Sequence, residues 1–182
     1  MGTDDRRRWD ERYANLPRPP VASVGPPSLL AAHADLFPVT GAALDIGCGQ
    51  GIGAVWLARR GLDVVGLDIS AVAILRARDL AERCGVGDRC RFDVVDLDDG
   101  LPDGPPADVV LCHRFWDRRL ERAITGRLAP GGLLAVAVCS EVGAAPGRFR
   151  AAPGELTDAF AGLDVVAAGE GEGSAWLLAR AF

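Results

Sequence analysis

The chain has 182 residues, enough for one domain with a single core. Hydrophobic residues make up 49% and charged residues 25%, a globular composition that excludes a wholly disordered chain. The net charge of −5 provides no basic field of the kind that concentrates proteins on phosphate backbones. We therefore expect a small-molecule partner and regard nucleic acid as a poor fit.

The counts of basic and metal-ligating residues exclude several kinds of site. All 20 basic residues are Arg, which excludes a lysine Schiff base and a P-loop lysine. The five Cys are odd in number and lack C-x-x-C spacing, and there are only two His. We expect neither a disulfide framework nor a metal site.

The N-terminal sequence MGTDDRRRWDERY is charged and lacks the apolar core of a signal peptide. No stretch reaches the roughly 18 apolar residues of a membrane span. The expectation is a cytoplasmic protein without a membrane partner.

The first part of the chain, residues 1–40, is predicted to form a helical cap and loop. A helix is predicted over 4–14, with Trp9 and Tyr13 one turn apart on the same face. The proline-rich stretch that follows breaks regular structure. Residues 28–37 suit a short helix that Pro38 ends.

From residue 42, short apolar segments alternate with helical segments. Strands are predicted over 43–46, 64–67, 91–95, 107–112, 133–138, 163–168 and 175–182. Helices are predicted over 52–60, 71–84 with Ser70 as N-cap, 117–128 and 153–160, with APGG turning the chain at 129–132.

This alternation predicts a doubly wound α/β fold with a seven-stranded, mainly parallel sheet and helices on both faces. The last two strands are joined only by EGEGS, too short for a crossover helix, so the last strand is expected to be antiparallel. We expect a single domain over 1–182, with a cofactor-binding core at 42–138 and a C-terminal part, 139–182, that completes the sheet.

The first predicted strand runs into the turn LDIGCGQGIG, which opens a helix. Its glycines alternate as G-x-G-x-G-x-G, so they miss the G-x-G-x-x-G spacing of dinucleotide-binding proteins. Asp45 stands two residues before Gly47, where a carboxylate would repel a pyrophosphate. A ligand with a cationic ammonium, such as the methionine end of S-adenosylmethionine, suits this turn better.

Two more acidic residues follow the next two strands. Asp68 ends the second strand, where a carboxylate can accept bonds from both hydroxyls of a ribose, and Ile69 could pack on an adenine face. Asp96 follows the third strand, where it could accept from an adenine amino group. Each acid alone is a weak signal, whereas three acids at successive strand tips form a joint signal.

In order along the chain, LDIGCGQG, VVGLDIS, VVDLDDGLP, ADVVLC and LAPGGLLAV resemble the motif set of class I S-adenosylmethionine-dependent methyltransferases. The flanking segments WDERYA and RAAPGELTDAF resemble small bacterial enzymes of the tellurite-resistance and thiopurine or thiol methyltransferase type. The family's antiparallel insertion of its last strand agrees with the short EGEGS connection.

The resemblance implies a cofactor site. Its residues would be Asp45, Gly47, Gly49 and Gly51 for the methionine part, Asp68 and Ile69 for ribose and adenine, Asp96 and Leu97 for the adenine edge, with Cys112 and Tyr13 alongside. The sequence CHRF replaces the N/D-P-P-Y/F tetrapeptide of nucleic-acid amino-methyltransferases at the end of the fourth strand, which argues against that chemistry.

His113 and Arg114 are the candidate catalytic residues, because they follow the strand where cofactor and acceptor would meet. A thiol or oxyanion acceptor would need little base assistance, whereas a hydroxyl or amine would need a base such as His113. Four alternatives stay open: a binding protein without transferase activity, a nicotinamide oxidoreductase, and an RNA or a protein methyltransferase. The chain could be a monomer or a homodimer.

Overall fold

The computed structural model describes residues 3–147 and 149–182, and this part of the chain forms five α-helices and one eight-stranded sheet. The helices are α1 Thr3–Asn15, α2 Ile52–Arg60, α3 Ala71–Arg83, α4 Glu121–Gly126 and α5 Glu155–Ala159. The strands are β1 Ala42–Ile46, β2 Asp63–Asp68, β3 Cys90–Val94, β4 Ala107–His113, β5 Leu128–Ser140, β6 Arg150–Ala151, β7 Asp164–Gly171 and β8 Ser174–Arg180.

The strand order is β3-β2-β1-β4-β5-β8-β7, and β6 pairs with the end of β5. All pairs are parallel except those of β8, which runs antiparallel to both β5 and β7. The predicted doubly wound, mainly parallel fold with an antiparallel last strand is therefore confirmed.

The two faces of the sheet bury two apolar layers, because successive strand residues point to opposite faces. One layer packs under α2 and α3 and includes Val109 and Leu111. The other packs under α4 and α5 and includes Val110 and Cys112. Helices therefore cover both faces, as a parallel sheet requires.

The structure corrects several predicted elements. Residues 28–36 form a 3₁₀ helix with a break at His33, rather than an α-helix. The helix predicted over 117–128 is shorter, with a 3₁₀ turn at Arg118–Leu120 followed by α4. The two-residue β6 adds an eighth strand to the seven that were predicted.

The predicted APGG turn is an irregularity inside β5. Ala107 pairs with Leu128 whereas Val109 pairs with Leu133, so the four residues 129–132 stand opposite the single residue Asp108 of the neighbouring strand. The segment is nevertheless tied down, because the Gly131 N–H donates to the carbonyl of Ala181 at 3.1 Å. β5 therefore continues through the glycines instead of beginning after them.

Helix α1 is fastened to α3 by polar contacts at its middle and at its C-terminal end. Asp10 accepts hydrogen bonds from the Ser70 hydroxyl at 2.6 Å and from the Val72 N–H at 3.2 Å. The Arg76 guanidinium donates to the carbonyls of Leu16 at 2.7 Å and Ala14 at 3.1 Å. These contacts place α1 beside the carboxyl ends of β1 and β2.

Among the described residues, no helix has both the length and the apolar character that a membrane span requires.

The substitution Arg76→Ala should release α1 from α3. It removes the two bonds to α1 and a third to the Gln50 side chain, each contributing about 1 kcal/mol. We expect amide hydrogen exchange in residues 3–15 to become about tenfold faster or more, with a small change in melting temperature. The control is Arg59→Ala, because Arg59 is exposed and its side chain has no partner among the described residues. Equal exchange in both variants would contradict this anchoring role.

Candidate functional site: a glycine turn between two buried carboxylates

The candidate site lies at the carboxyl ends of the strands, where the strand order reverses between β1 and β4. Chains leaving two neighbouring parallel strands in opposite directions open a crevice at this point, which is where open α/β sheets bind ligands. The turn from Gly47 to Gly51 leaves β1 and leads into α2 at Ile52. The Cys48 N–H donates to the Leu67 carbonyl at 2.9 Å, which joins this turn to β2.

The turn needs glycine for its conformation and for close contacts with two aromatic residues. Gly47 and Gly49 have φ values of 69° and 53°, which L side chains rarely adopt. A Cβ on Gly49 would lie 2.8 Å from the Tyr13 hydroxyl oxygen, and one on Gly47 would lie 2.5 Å from the Phe115 Cβ. Gly51 is also left-handed, with φ at 82°, and is the N-cap of α2.

Asp68 at the end of β2 holds the turn and the start of α3 together. One carboxylate oxygen accepts from the Gly49 N–H at 2.8 Å, and the other accepts from the Ser70 N–H at 2.9 Å. Burial raises the pKa of Asp68, and these backbone donors oppose the shift. Each oxygen keeps a lone pair that a ligand hydroxyl can use.

Asp45, near the end of β1, is a second buried carboxylate and lies two residues before the same turn. It is 2% exposed and lies against the first turn of α2, where the backbone of Ala54 donates to it. Burial raises the pKa of Asp45 to about 7, and the negative charge of Asp68 adds to the increase. A cation placed here would favour the ionised carboxylate.

The two buried carboxylates and the glycine turn fit S-adenosylmethionine. Two buried carboxylates can accept from an ammonium group and from ribose hydroxyls, and they would repel the pyrophosphate of a dinucleotide. The backbone around Gly47 and Gly49 carries no side chain of its own that would block a ligand.

The residues predicted to hold the adenine follow the carboxyl ends of β2 and β3. Ile69 and Leu97 are 9% and 6% exposed. The half-buried Asp96 accepts from the Asp98 N–H at 3.1 Å, which caps a 3₁₀ turn at Leu97–Asp99. The Val95 N–H donates to the Asp68 carbonyl at 2.9 Å, which connects the ends of β2 and β3.

The structure places Tyr13, which the sequence predicts as a cofactor-binding residue, beside the glycine turn. Its ring stacks on Trp9 with 5.8 Å between centroids, and its hydroxyl reaches Gly49. Burial raises the pKa of Tyr13 well above its ordinary value, and Asp68 contributes to the increase. Tyr13 is therefore a neutral hydroxyl that can donate or accept.

The three residues that end β4 and follow it have different surroundings. Cys112 is fully buried in the layer under α4 and α5, so only its backbone reaches the strand end. His113 is half-buried, and burial with help from Arg114 lowers its pKa to about 4. Arg114 is exposed, has a φ of 59°, and donates its N–H to the Ala137 carbonyl at 2.8 Å. Such backbone strain is common at functional sites.

Sequence reasoning missed two aromatic residues of the site. Phe115 contacts Gly47, and its position after a predicted strand tip was the only available signal. Phe149 lies in a segment without regular structure and contacts Trp9 at 6.3 Å between ring centroids. With Trp116, Phe149 lines a cleft of about 260 Å³ beside the site.

Comparison with known proteins identifies the core. Residues 43–132, about half of the chain, match a family model described as a methyltransferase domain. The ribosomal protein L11 methyltransferase of Vibrio parahaemolyticus is 38% identical over 96 residues. That match covers 51% of this chain but 32% of the relative, so the chain accounts for about a third of that protein's length.

Solved structures share the fold. TehB from Haemophilus influenzae superimposes with a TM-score of 0.71 at 19% identity, over 85% of this chain and 61% of TehB. A second structure superimposes with a TM-score of 0.68 at 26% identity, over 97% of this chain and 93% of the other. Its description concerns the conversion of a disulfide bond into a thioacetal group during echinomycin biosynthesis.

A third structure, the magnesium protoporphyrin IX methyltransferase of Synechocystis PCC 6803, holds bound S-adenosylmethionine and gives a TM-score of 0.63 at 19% identity, over 98% and 80% of the two chains. With the matched domain and the carboxylate-flanked turn, these findings identify the chain as a member of the class I methyltransferases, whose cofactor is S-adenosylmethionine.

Proposed function

We propose that this protein transfers the methyl group of S-adenosylmethionine to a small-molecule acceptor. The observation that carries the proposal is the glycine turn between two buried carboxylates, Asp45 and Asp68, with a cleft beside it. The cleft could admit an acceptor next to the end of the cofactor that carries the methyl group.

The chain's own residues would mainly bind, orient and exclude water. Asp45 would hold the ammonium group, and Asp68 would hold the ribose without releasing Gly49 or Ser70. Asp96, with Ile69 and Leu97, would surround the adenine. Tyr13 would cover the turn from α1. S-adenosylmethionine, when bound, supplies a methyl group that its sulfonium already makes electrophilic, so alignment and desolvation are the main demands on the protein.

His113 is proposed to take up the proton when the methyl group is transferred to a hydroxyl or an amine. Its lowered pKa keeps the imidazole neutral at pH 7 and makes it a weak base. A thiol or oxyanion, which ionises without help, agrees better with such a base. The echinomycin protein acts on sulfur according to its description, which supports testing thiols first.

A protein substrate is the second candidate, because the curated relative methylates ribosomal protein L11 according to its name. The match to it is confined to about half of this chain. A binding protein without transferase activity is the third candidate.

The test of the cofactor is calorimetry with S-adenosylhomocysteine and with NAD. We expect micromolar binding of the former, about −8 kcal/mol, and no binding of NAD. Methyl transfer would then be measured with thiols, small oxyanions and L11. Binding of NAD alone would overturn the proposal. Binding of S-adenosylhomocysteine without transfer to any acceptor would favour the binding protein.

Binding of S-adenosylhomocysteine should strengthen as pH rises, because the Asp45 pKa of about 7 leaves this carboxyl mostly protonated at pH 6 and ionised at pH 8. The expected gain in affinity is about tenfold. Calorimetry in buffers of different ionisation enthalpy should show proton release below pH 7. In Asp45→Asn, binding should be weaker and the gain absent, and an unchanged gain would contradict the assignment.

The substitution Asp68→Ala should weaken binding of S-adenosylhomocysteine by about 1–3 kcal/mol, because hydrogen bonds to the ribose are lost. It also removes acceptors for Gly49 and Ser70, so the melting temperature is measured alongside. The exposed Asp88→Ala is the matched control. Unchanged affinity in a folded Asp68→Ala protein would mean that another residue holds the ribose.

The substitution His113→Ala should lower kcat by about 10² or more for a hydroxyl or amine acceptor and leave a thiol acceptor nearly unaffected. S-adenosylhomocysteine affinity, measured by calorimetry, serves as the control and should not change. With native His113, kcat should show no inflection from this residue between pH 5.5 and 8, since its pKa is about 4. An equal loss of kcat for both types of methyl acceptor would exclude a role of His113 as the base.

A further inference from the structure

The cleft between the chain after β4 and the segment before α5 adjoins the glycine turn on two sides. Phe115 contacts Gly47, and its neighbour Trp116 lines the cleft. On the other side, Phe149 lines the cleft and contacts Trp9, which stacks on Tyr13. A molecule in this cleft would therefore lie beside the proposed position of the cofactor's methionine end.

The arginines that line the cleft differ in whether a carboxylate neutralises their charge. The Arg119 guanidinium pairs with both Asp117 and Asp98, which neutralise it. The Arg150 guanidinium donates to the backbone carbonyls of Ser140 at 2.7 Å and Gly173 at 3.3 Å, which carry no charge.

Arg118 is exposed at the cleft and has neither an ion pair nor a side-chain hydrogen bond among the described residues. The acidic residue Glu155 also lines the cleft and keeps its charge, while one of its oxygens accepts from the Ala152 N–H at 2.7 Å. The cleft consequently presents an unpaired guanidinium to anything that enters it.

Trp116 provides a second, independent observation. It is 4% exposed, packs edge-on against Phe160 with 5.7 Å between ring centroids, and lines the cleft. Its indole N–H is buried and has no acceptor among the described residues. A buried donor without a partner is costly, so an acceptor atom brought by a ligand would satisfy it once the ring moves enough to expose the nitrogen to the cleft.

The size and walls of the cleft argue for an organic ligand. A volume of about 260 Å³ exceeds what a single inorganic oxyanion would fill, since a water molecule occupies about 30 Å³ in the liquid. Phe149 and the small exposed part of Trp116 supply the apolar part of a lining whose other residues are charged, and an aromatic body could pack there.

We infer, resting on the proposed function, that the methyl acceptor is an organic anion with an apolar, ring-sized body, whose oxyanion group binds Arg118 and the Trp116 indole N–H. A carboxylate or a phosphate can supply this group, since either accepts from a guanidinium and from an indole N–H. Holding the anion there would leave the remainder of the molecule to reach the glycine turn.

The experiment is calorimetry with saturating S-adenosylhomocysteine and three matched pairs: benzoate and benzamide, phenylacetate and phenylacetamide, indole-3-acetate and its amide. We expect at least one acid to bind about tenfold more tightly than its amide. Phenyl phosphate and inorganic phosphate are the other two probes. Tighter binding of phenyl phosphate than of phenylacetate would support an anionic methyl acceptor and identify its charged group as a phosphate.

Two variants locate the binding. Arg118→Gln should remove the preference of acid over amide, and Trp116→Phe should weaken the acid about tenfold while keeping an aromatic ring in the core. Arg59→Gln, an exposed arginine on α2, makes the same change of charge elsewhere and should change nothing. Affinity for S-adenosylhomocysteine should be unchanged in all three variants.

The inference is wrong if every amide binds as tightly as its acid, if none of the probes binds, or if Arg118→Gln and Arg59→Gln behave alike. If inorganic phosphate binds as tightly as the organic anions, the inference that the ligand has an apolar organic body is wrong. In each case intact binding of S-adenosylhomocysteine leaves the proposed function standing, whereas its loss in the native protein would remove that function instead.

Discussion

The site depends on a single carboxylate, that of Asp68, which accepts from the backbone that follows β1 and from the backbone that follows β2. Its bond from Gly49 fixes the turn after β1, and its bond from Ser70 fixes the start of α3. Ser70 in turn donates to Asp10, so the same network positions α1 and brings Tyr13 to the turn. The end of β2, the turn and the cap are consequently one connected unit.

This arrangement has an electrostatic cost that a cationic ligand would offset. Asp45 and Asp68 are both buried, and each disfavours the ionised form of the other. Neither carboxylate pairs with an arginine in the described structure. A turn built in this way is unfavourable for phosphate groups and favourable for an ammonium. In the proposed site, the charges that destabilise the free protein would therefore favour a cofactor that carries an ammonium group.

The sheet and the glycine turn were predictable because their signals are local: apolar runs of strand length and glycines beside Asp45. The helix predicted over 117–128 was wrong in extent, because its first residues are held in a 3₁₀ turn whose N-cap is Asp117. The roles of Phe149 and Arg118 were not predictable, since they arise where segments distant in sequence meet. Cys112 shows how far prediction reaches within a strand. A shift of one residue decides whether a side chain points to a ligand or to the core, and the Cys112 side chain lies in the core.

The position of β8 has a consequence for how the protein is made. This strand lies between β5 and β7, so the seven residues from Ser174 to Arg180 join two parts of the sheet that are otherwise not paired. While the ribosome is still producing the preceding residues, β5 and β7 both expose open hydrogen-bonding edges, which are prone to pair wrongly with other chains. The sheet can therefore close only after residues 174–180 have been made, and until then the two strand edges stay open to wrong pairing.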